Sequence, residues 1–210
     1  MTTARYPIFL DLAGRLCVVV GGGPIAEGKV RSLLAAGARV TVVSPTLTPA
    51  LAALAAEGSL THHARAYADG DLAGAALALA ASGDRAVSAA ALAEGRARGV
   101  WVNAADDPER CDFFLPAVLR RGALTVAVST GGASPALTRA VRDELEGFFP
   151  PELADLVEVV AGVRRDLRAR ATPVSAEAWS GALADELGRL WPAARLAEAR
   201  ARLLERLETP

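Results

Sequence analysis

Three consecutive glycines at the end of an apolar run constrain this chain more than any other feature. Residues 18–20 are valines that favour a buried strand, and the glycines separate them from a helix-compatible segment. Gly21, Gly23 and Ala26 have the G-x-G-x-x-G/A spacing of a dinucleotide-binding turn. In such a turn the first glycine allows a sharp change of direction and the second lets a pyrophosphate approach the backbone, beside free N–H groups of the helix N-terminus. The motif therefore predicts a nucleotide site.

The sequence around this turn alternates between strand and helix patterns. Residues 29–36 favour a helix that Gly37 ends, and residues 39–43 favour a strand, which completes a βαβ unit. Further strands are predicted at 60–65, 75–81 and 100–103, and a further helix at 84–98. This alternation predicts an α/β fold with a Rossmann-like parallel sheet and helices on both faces. Ligands bind at the carboxyl ends of such strands, so residues 21–23, 44–46 and 103–107 are the candidate site.

The rest of the chain has a different pattern. Residues 113–119 and 123–129 predict a strand pair joined by 120–122, and Ser134 with Pro135 favours the start of a helix that ends before Pro150. Beyond that point apolar residues recur at helical spacing, with breaks expected at 172–173 and 191–192 and a last stripe at Leu196, Leu203 and Leu207. We predict a nucleotide-binding domain at 1–112, a small α+β segment at 113–149 and a C-terminal helical domain at 150–210.

Charge and cysteine content exclude several classes of protein. The net charge of −1 argues against nucleic acid as a partner, and no apolar stretch is long enough to cross a membrane. Cys17 and Cys111 have no CxxC partner, which argues against a zinc or disulfide framework and fits a reducing compartment. We therefore expect a soluble, cytoplasmic protein.

Two groups of titratable residues admit more than one interpretation. His62 and His63 are adjacent in a predicted strand, so their side chains point to opposite faces and are not expected to share a metal ion. Asp106 follows the predicted strand at 100–103. It is placed either to act as a base or to cap a turn with Asp107 and Pro108, and the residues alone leave both open.

Several segments, taken in order, make the chain resemble the precorrin-2 dehydrogenase family, the dehydrogenase/chelatase module of siroheme synthases. The resemblance covers about residues 6–165. It rests on residues 6–12, the glycine turn with Lys29, residues 37–45, Asn103 with Asp106, residues 113–116 and residues 126–137.

The resemblance implies an enzyme that oxidises precorrin-2 to sirohydrochlorin with NAD⁺ during siroheme biosynthesis. Some members of that family also insert ferrous iron as a second substrate, which is ferrochelatase activity. Family members are homodimers, so the segment 113–149 is expected to be a dimerisation segment, and the chain resembles the stand-alone form of the module.

The resemblance also implies roles for individual residues. Asp106 matches the family's catalytic aspartate, which can accept a proton from the macrocycle. Because the substrate carries several carboxylates, basic groups and a helix N-terminus are expected near it, and Arg120 and Arg121 belong with Arg139 in this group. The expected cofactor-binding residues are Gly21, Gly23, Pro24, Ile25, Ser44, Pro45 and Thr46. The expected substrate-binding residues are Asn103, Ser134 and Arg139.

The chain departs from the family pattern at three positions. Gly28 occupies a position that is often arginine, and Thr130 occupies one that is a phosphorylated serine in some members. Ser44 stands where a ribose-binding acidic residue is usual, so its hydroxyl is the group available for the ribose and the choice of NAD over NADP rests on the resemblance. The alternatives are a nucleotide-sensing regulatory module without turnover, a chelatase without useful dehydrogenation, and a structural dimer with a relic glycine turn.

Overall fold

Two compact units make up the protein, the first extending through Leu115 and the second beginning at Pro116. The computed structural model describes residues 5–190 and 204–206. The segments 113–149 and 150–210 fall almost entirely in the second unit, whereas the glycine turn and Asp106 belong to the first.

The first unit contains the predicted parallel sheet. Its strands lie in the order β3-β2-β1-β4-β5, and every neighbouring pair is parallel. The chain builds outward from β1 to β3 and then returns to the other side of β1, which places a topological switch point between β1 and β4. The five strands are β1 (Leu16–Val20), β2 (Arg39–Val43), β3 (Thr61–His63), β4 (Leu77–Ala80) and β5 (Trp101–Ala104).

Helices cover both faces of this sheet, because neighbouring strand residues point to opposite sides. Cys17 and Val19 of β1 belong to an apolar cluster with residues of α1 (Pro24–Ala35) and α2 (Pro49–Ala56). Val18 and Val20 belong to the opposite cluster, with residues of α3 (Arg85–Arg98). The Rossmann-like α/β prediction is confirmed, and α2 is an element that the sequence patterns did not predict.

Glu94 is a buried carboxylate of α3 that accepts hydrogen bonds from the connection between β3 and β4. Its Oε1 accepts hydrogen bonds from the backbone N–H groups of Gly70 (3.0 Å) and Leu72 (3.2 Å) and lies 2.6 Å from Nε of Arg98. The Tyr67 hydroxyl donates to Oε2. Burial opposes ionisation, but these donors together hold the pKa of Glu94 below its usual value.

The second unit begins with an antiparallel hairpin of β6 (Ala117–Arg121) and β7 (Leu124–Val128). The predicted strand pair is present, but its predicted bounds are wrong: β6 starts four residues later than expected, and residues 120–121 lie in the strand rather than in the turn. The residues before β6 end in Pro116, which has no N–H for a strand ladder. Gly122 has a φ of +55°, which allows a two-residue turn between the strands.

Between the hairpin and residue 190 the structure has three helices: α4 (Pro135–Phe148), α5 (Leu153–Ala169) and α6 (Ala176–Leu190). Val163 and Leu167 of α5 are buried against Trp179 and Leu183 of α6. The break predicted at 172–173 separates α5 from α6, while that at 191–192 and the stripe of Leu196, Leu203 and Leu207 lie outside the described residues. Among the helices described, none is both long and apolar enough to span a bilayer.

We expect Glu94→Ala to lower the free energy of unfolding by about 3 kcal/mol, because it leaves the buried Leu72 N–H and the half-buried Tyr67 hydroxyl without an acceptor. Urea unfolding of the two proteins measures this difference. The Glu94 pKa is depressed in the folded state, so the difference should be full above the ordinary glutamate pKa and should shrink as the pH falls below it. Glu57→Ala, at an exposed glutamate after α2, is the control and should change stability by less than about 0.5 kcal/mol. Equal effects of the two substitutions would contradict the role given to Glu94.

Candidate active site

Gly21 turns the chain at the end of β1. Its φ of +119° is one that L side chains rarely adopt, and a Cβ there would lie 2.5 Å from the carbonyl oxygen of Ala81. Its N–H donates to the carbonyl oxygen of Val43 at 2.9 Å, which holds the turn against the end of β2. The requirement for glycine that the motif predicted is therefore met by both backbone conformation and packing.

Gly22 is the most confined glycine of the turn, although the motif treats its position as variable. A Cβ on Gly22 would lie 2.0 Å from the carbonyl oxygen of Thr46 and 2.9 Å from the hydroxyl oxygen of Ser44. No side chain fits this space, because the nearest atom belongs to the backbone of the neighbouring loop. Sequence reasoning missed this residue because the contact depends on the path of a loop about two dozen positions further along the chain.

Gly23 differs from both, since it faces open space. It is the N-cap residue of α1, with no side-chain cap, and Pro24 follows it in the first turn. A Cβ built on Gly23 would meet no heavy atom within 4 Å. The uncapped N-terminus of α1 thus lies beside backbone that an anion can approach closely, and these features fit the pyrophosphate of a dinucleotide. Ile25 is 64% exposed in this first turn.

The loop between β2 and α2 is tied to the glycine turn by hydrogen bonds. The Thr48 N–H donates to the carbonyl oxygen of Gly22 at 2.9 Å, and the Thr48 hydroxyl donates to Oε2 of Glu27 at 2.9 Å. Pro45 and Thr46 are exposed in this loop. The glycine turn and this loop therefore form one connected rim at the ends of β1 and β2.

The Ser44 hydroxyl, which was expected to be available for a ribose, has a hydrogen-bond partner within the chain. The side chain is buried, and its hydroxyl donates to the carbonyl oxygen of Thr46 at 2.7 Å. The ring of His62 lies 2.9 Å from the Ser44 carbonyl oxygen, measured at Nε2. Ser44 therefore supports the loop through its only hydroxyl hydrogen, and its role as a cofactor contact stays a prediction.

Asn103 links three parts of the first unit. It is 8% exposed at the end of β5, and its Nδ2 donates to the carbonyl oxygen of Phe113 at 2.9 Å. Its Oδ1 accepts from Nζ of Lys29, on α1, at 3.3 Å, and burial lowers the pKa of this lysine. The structure thus gives Asn103 internal partners, and its role as a substrate contact stays a prediction.

Cys111 holds the segment that follows β5. Burial raises the pKa of its thiol, which keeps the group protonated and able to donate. The carbonyl oxygens of Ala104 and Asp107 each lie 3.2 Å from Sγ, and the Ala104 N–H donates to Sγ at 3.1 Å. Asp107 also forms an ion pair with Arg110 within this segment.

Asp106 lies in the same segment with an unusual environment. Its Oδ1 accepts a hydrogen bond from the Ser88 hydroxyl at 2.7 Å, while Oδ2 is buried without a hydrogen-bond partner. In the described part of the chain no other buried side-chain nitrogen or oxygen lacks a partner. Leaving a buried carboxylate oxygen unpaired is costly, so such an atom points to a functional role. A turn-capping aspartate would accept from a backbone N–H of its turn, whereas the described hydrogen bond of Asp106 comes from the Ser88 hydroxyl.

The predicted substrate residues of the second unit have different environments. Ser134 is the N-cap of α4, and its Oγ accepts from the Leu137 N–H at 3.1 Å. Arg139 is exposed, and the described residues provide its guanidinium with no hydrogen bond or ion pair. Arg121, in contrast, donates to the carbonyl oxygens of Phe149 (2.7 Å) and Glu146 (3.3 Å) at the end of α4. The Arg121 guanidinium is therefore used within the second unit, and its place among the substrate-facing arginines stays a prediction.

The parallel sheet, its switch point and the open glycine turn define a dinucleotide-binding protein of the Rossmann type. Comparison with known proteins agrees with this class. The family model for NAD(P)-binding domains matches residues 8–117, and the model for the central part of sirohaem biosynthesis proteins matches residues 121–147. The chain belongs to the siroheme synthase N-terminal-type family of NAD(P)-binding proteins.

Individual relatives extend this comparison. The chain is 39% identical to the siroheme synthase of Thioalkalivibrio sulfidiphilus over 206 residues, which cover 97% of this chain and 42% of the relative. It is 44% identical to that of Methylobacillus flagellatus over 164 residues, which cover 78% of this chain and 35% of the relative. The chain thus spans less than half the length of these two relatives. A solved structure titled SirC, precorrin-2 dehydrogenase, is similar with a TM-score of 0.77 and 26% identity, covering 98% of this chain and 100% of that one. NAD is the cofactor that these comparisons support.

We expect Gly23→Ala to weaken NAD⁺ binding at least tenfold without lowering the melting temperature. The new methyl group meets no protein atom within 4 Å, yet it occupies the space through which a pyrophosphate would approach. Calorimetric titration with NAD⁺ and thermal unfolding measure the two effects.

Gly28→Ala is the matched control, since Gly28 is an exposed position of α1 whose Cβ would also be unobstructed. It should bind NAD⁺ as the wild type does and should be slightly more stable, because alanine favours a helix. Wild-type affinity in Gly23→Ala would place the cofactor elsewhere.

Proposed function

We propose that this protein oxidises precorrin-2 to sirohydrochlorin with NAD⁺ during siroheme biosynthesis, in the cytoplasm. The observation that carries the proposal is the unpartnered Oδ2 of Asp106, located after β5 of the sheet whose β1 ends in the glycine turn. The similarity to a precorrin-2 dehydrogenase along nearly the whole of both chains supports the same reaction.

The cofactor would be held at the rim formed by β1, α1 and the β2–α2 loop. Gly23 and the N-terminal N–H groups of α1 would receive the pyrophosphate, while Pro45 and Thr46 would line the rim beyond β2. Bound NAD⁺ supplies the hydride acceptor of the reaction. Because the Ser44 hydroxyl donates to Thr46, a bond between Ser44 and the ribose would have to be one that the Ser44 oxygen accepts.

Asp106 would accept the proton that the macrocycle loses. Dehydrogenation removes one hydride, with its electron pair, and one proton, so a base is needed in addition to the hydride acceptor. Oδ2 has a free lone pair and no competing donor among the described residues, whereas Oδ1 is already bonded to Ser88. The carboxylate is therefore suited to take the proton at one defined oxygen.

The substrate would be a tetrapyrrole whose carboxylates need cationic partners. Arg139 remains a proposed contact because its guanidinium is exposed, and Ser134 and Asn103 remain proposed contacts on the family resemblance. Ferrochelatase activity, with ferrous iron as a further substrate, is a second candidate. It rests on the same Asp106 carboxylate, since metal insertion also removes pyrrole protons.

We also propose that the chain forms a homodimer through its second unit. Leu137, Val141 and Phe148 are 54%, 38% and 63% exposed, and their spacing places them along one side of α4. An exposed apolar stripe of this kind is typical of a surface that another chain covers. On the family resemblance, the second chain would be another copy of the same protein.

Asp106→Asn should lower the rate of precorrin-2 oxidation at least 100-fold, because asparagine cannot accept the proton. The measurement is anaerobic turnover of enzymatically made precorrin-2 with NAD⁺, followed through the tetrapyrrole spectrum. NAD⁺ binding should be unchanged in the same variant.

Asp107→Asn tests the neighbouring carboxylate, which pairs with Arg110, and it should retain most of the activity. Equal activity of Asp106→Asn and wild type would reject Asp106 as the base. A wild type that binds NAD⁺ but does not convert precorrin-2 would instead favour the nucleotide-sensing alternative.

Val141→Glu should convert the dimer to a monomer, because it places a charge within the apolar stripe of α4. Light scattering coupled to size-exclusion chromatography gives the mass in solution. Ala136→Glu introduces the same charge on another side of α4 and should remain dimeric. If wild type and Val141→Glu have the same mass, this stripe is not the dimer contact.

A further inference from the structure

Ser88 is a buried polar residue that neither the motif nor the family resemblance singles out. It lies in the first turns of α3 and is 1% exposed. Its hydroxyl donates to Oδ1 of Asp106 at 2.7 Å, across 18 positions of sequence. This hydrogen bond joins a rigid helix to the residue that the proposed reaction uses as its base.

We propose that Ser88 is a positioning residue for the reaction, which fixes the Asp106 carboxylate so that Oδ2 is the proton-accepting oxygen. The inference rests on the proposed function, because it assigns a partner to the proposed base. Ser88 does not itself contact the reacting atoms, and its effect is transmitted through Asp106.

The backbone and the side chain of this segment are fixed by separate contacts. The Ala105 N–H donates to the carbonyl oxygen of Ala80 at 3.0 Å, which anchors the backbone beside β4. That contact leaves the side-chain torsions of Asp106 free. The bond from Ser88 to Oδ1 is the described contact that restricts them, and it leaves the buried Oδ2 without a partner. A base held in one orientation avoids losing that freedom during the reaction.

A role limited to helix stability does not explain this serine. Alanine is the better helix former, and a serine within a helix commonly bonds a preceding carbonyl, as Ser32 of α1 does with Gly28 at 3.0 Å. The hydroxyl of Ser88 leaves its own helix and bonds Asp106 instead. Replacement by alanine should therefore preserve α3 while it removes the restraint on the carboxylate.

The test compares Ser88→Ala, Ser88→Cys and wild type in anaerobic precorrin-2 turnover at saturating NAD⁺. For Ser88→Ala we expect kcat to fall about tenfold, with the KM for precorrin-2 and the Kd for NAD⁺ both within about twofold of wild type. Ser88→Cys keeps the size of the side chain and a weak S–H donor, so its kcat should lie between the other two. Ser32→Ala removes an exposed serine hydroxyl from α1 and is the matched control, with wild-type kcat and KM expected.

The outcomes separate this inference from the function on which it rests. If wild type converts precorrin-2 and Ser88→Ala has the same kcat or a higher one, the positioning role is overturned and the proposed function stands. A loss of NAD⁺ affinity or of melting temperature that accounts for the lower activity would also overturn the positioning role. If wild type does not convert precorrin-2, the inference fails together with the proposed function.

Discussion

The close approach of the Gly22 backbone to the carbonyl oxygen of Thr46 is the contact on which the rim depends. This rim is formed by the glycine turn and the β2–α2 loop. The contact brings the turn after β1 against the loop after β2, and the Thr48 N–H completes the connection by bonding the Gly22 carbonyl oxygen. The parallel pairing of β1 with β2 alone would align the two strands but would not fix the loops beyond their carboxyl ends. This contact makes the two loops one surface, with the open backbone at Gly23 on it.

Chemistry is divided between the two sides of the switch point. β1 and β2 carry the rim suited to a dinucleotide, whereas β4, β5 and α3 hold the segment that contains Asp106. Cys111 and Asn103 stabilise this second side through bonds to backbone atoms and to Lys29. A single sheet can therefore carry both the proposed nucleotide site and the proposed base, because each depends on different strands.

Patterns that repeat along the chain are readable from the sequence, and contacts between distant residues are not. The predicted bounds of β2 match the strand. Gly37 and Pro45 flank this apolar segment closely, so the strand can begin and end at only a few positions. The prediction lacks α2 because the alanine-rich segment 49–56 has a weak amphipathic pattern. The hydrogen-bond partners of Ser44 and Ser88 depend on which loops and helices meet in three dimensions. The sequence alone does not show which acceptor a serine hydroxyl bonds.

The structure of the β2–α2 loop bears on how the protein could be engineered to prefer NADP over NAD. Its path is set by the backbone of Gly22, by the buried Ser44 hydroxyl and by Thr48, while the ring of Pro45 restricts the backbone at the start of the loop. None of these contacts involves the exposed side chain of Thr46, which can therefore be replaced without removing any of them. A basic residue introduced at Thr46 would offer a partner to the 2′-phosphate of NADP while these supports of the loop stay in place.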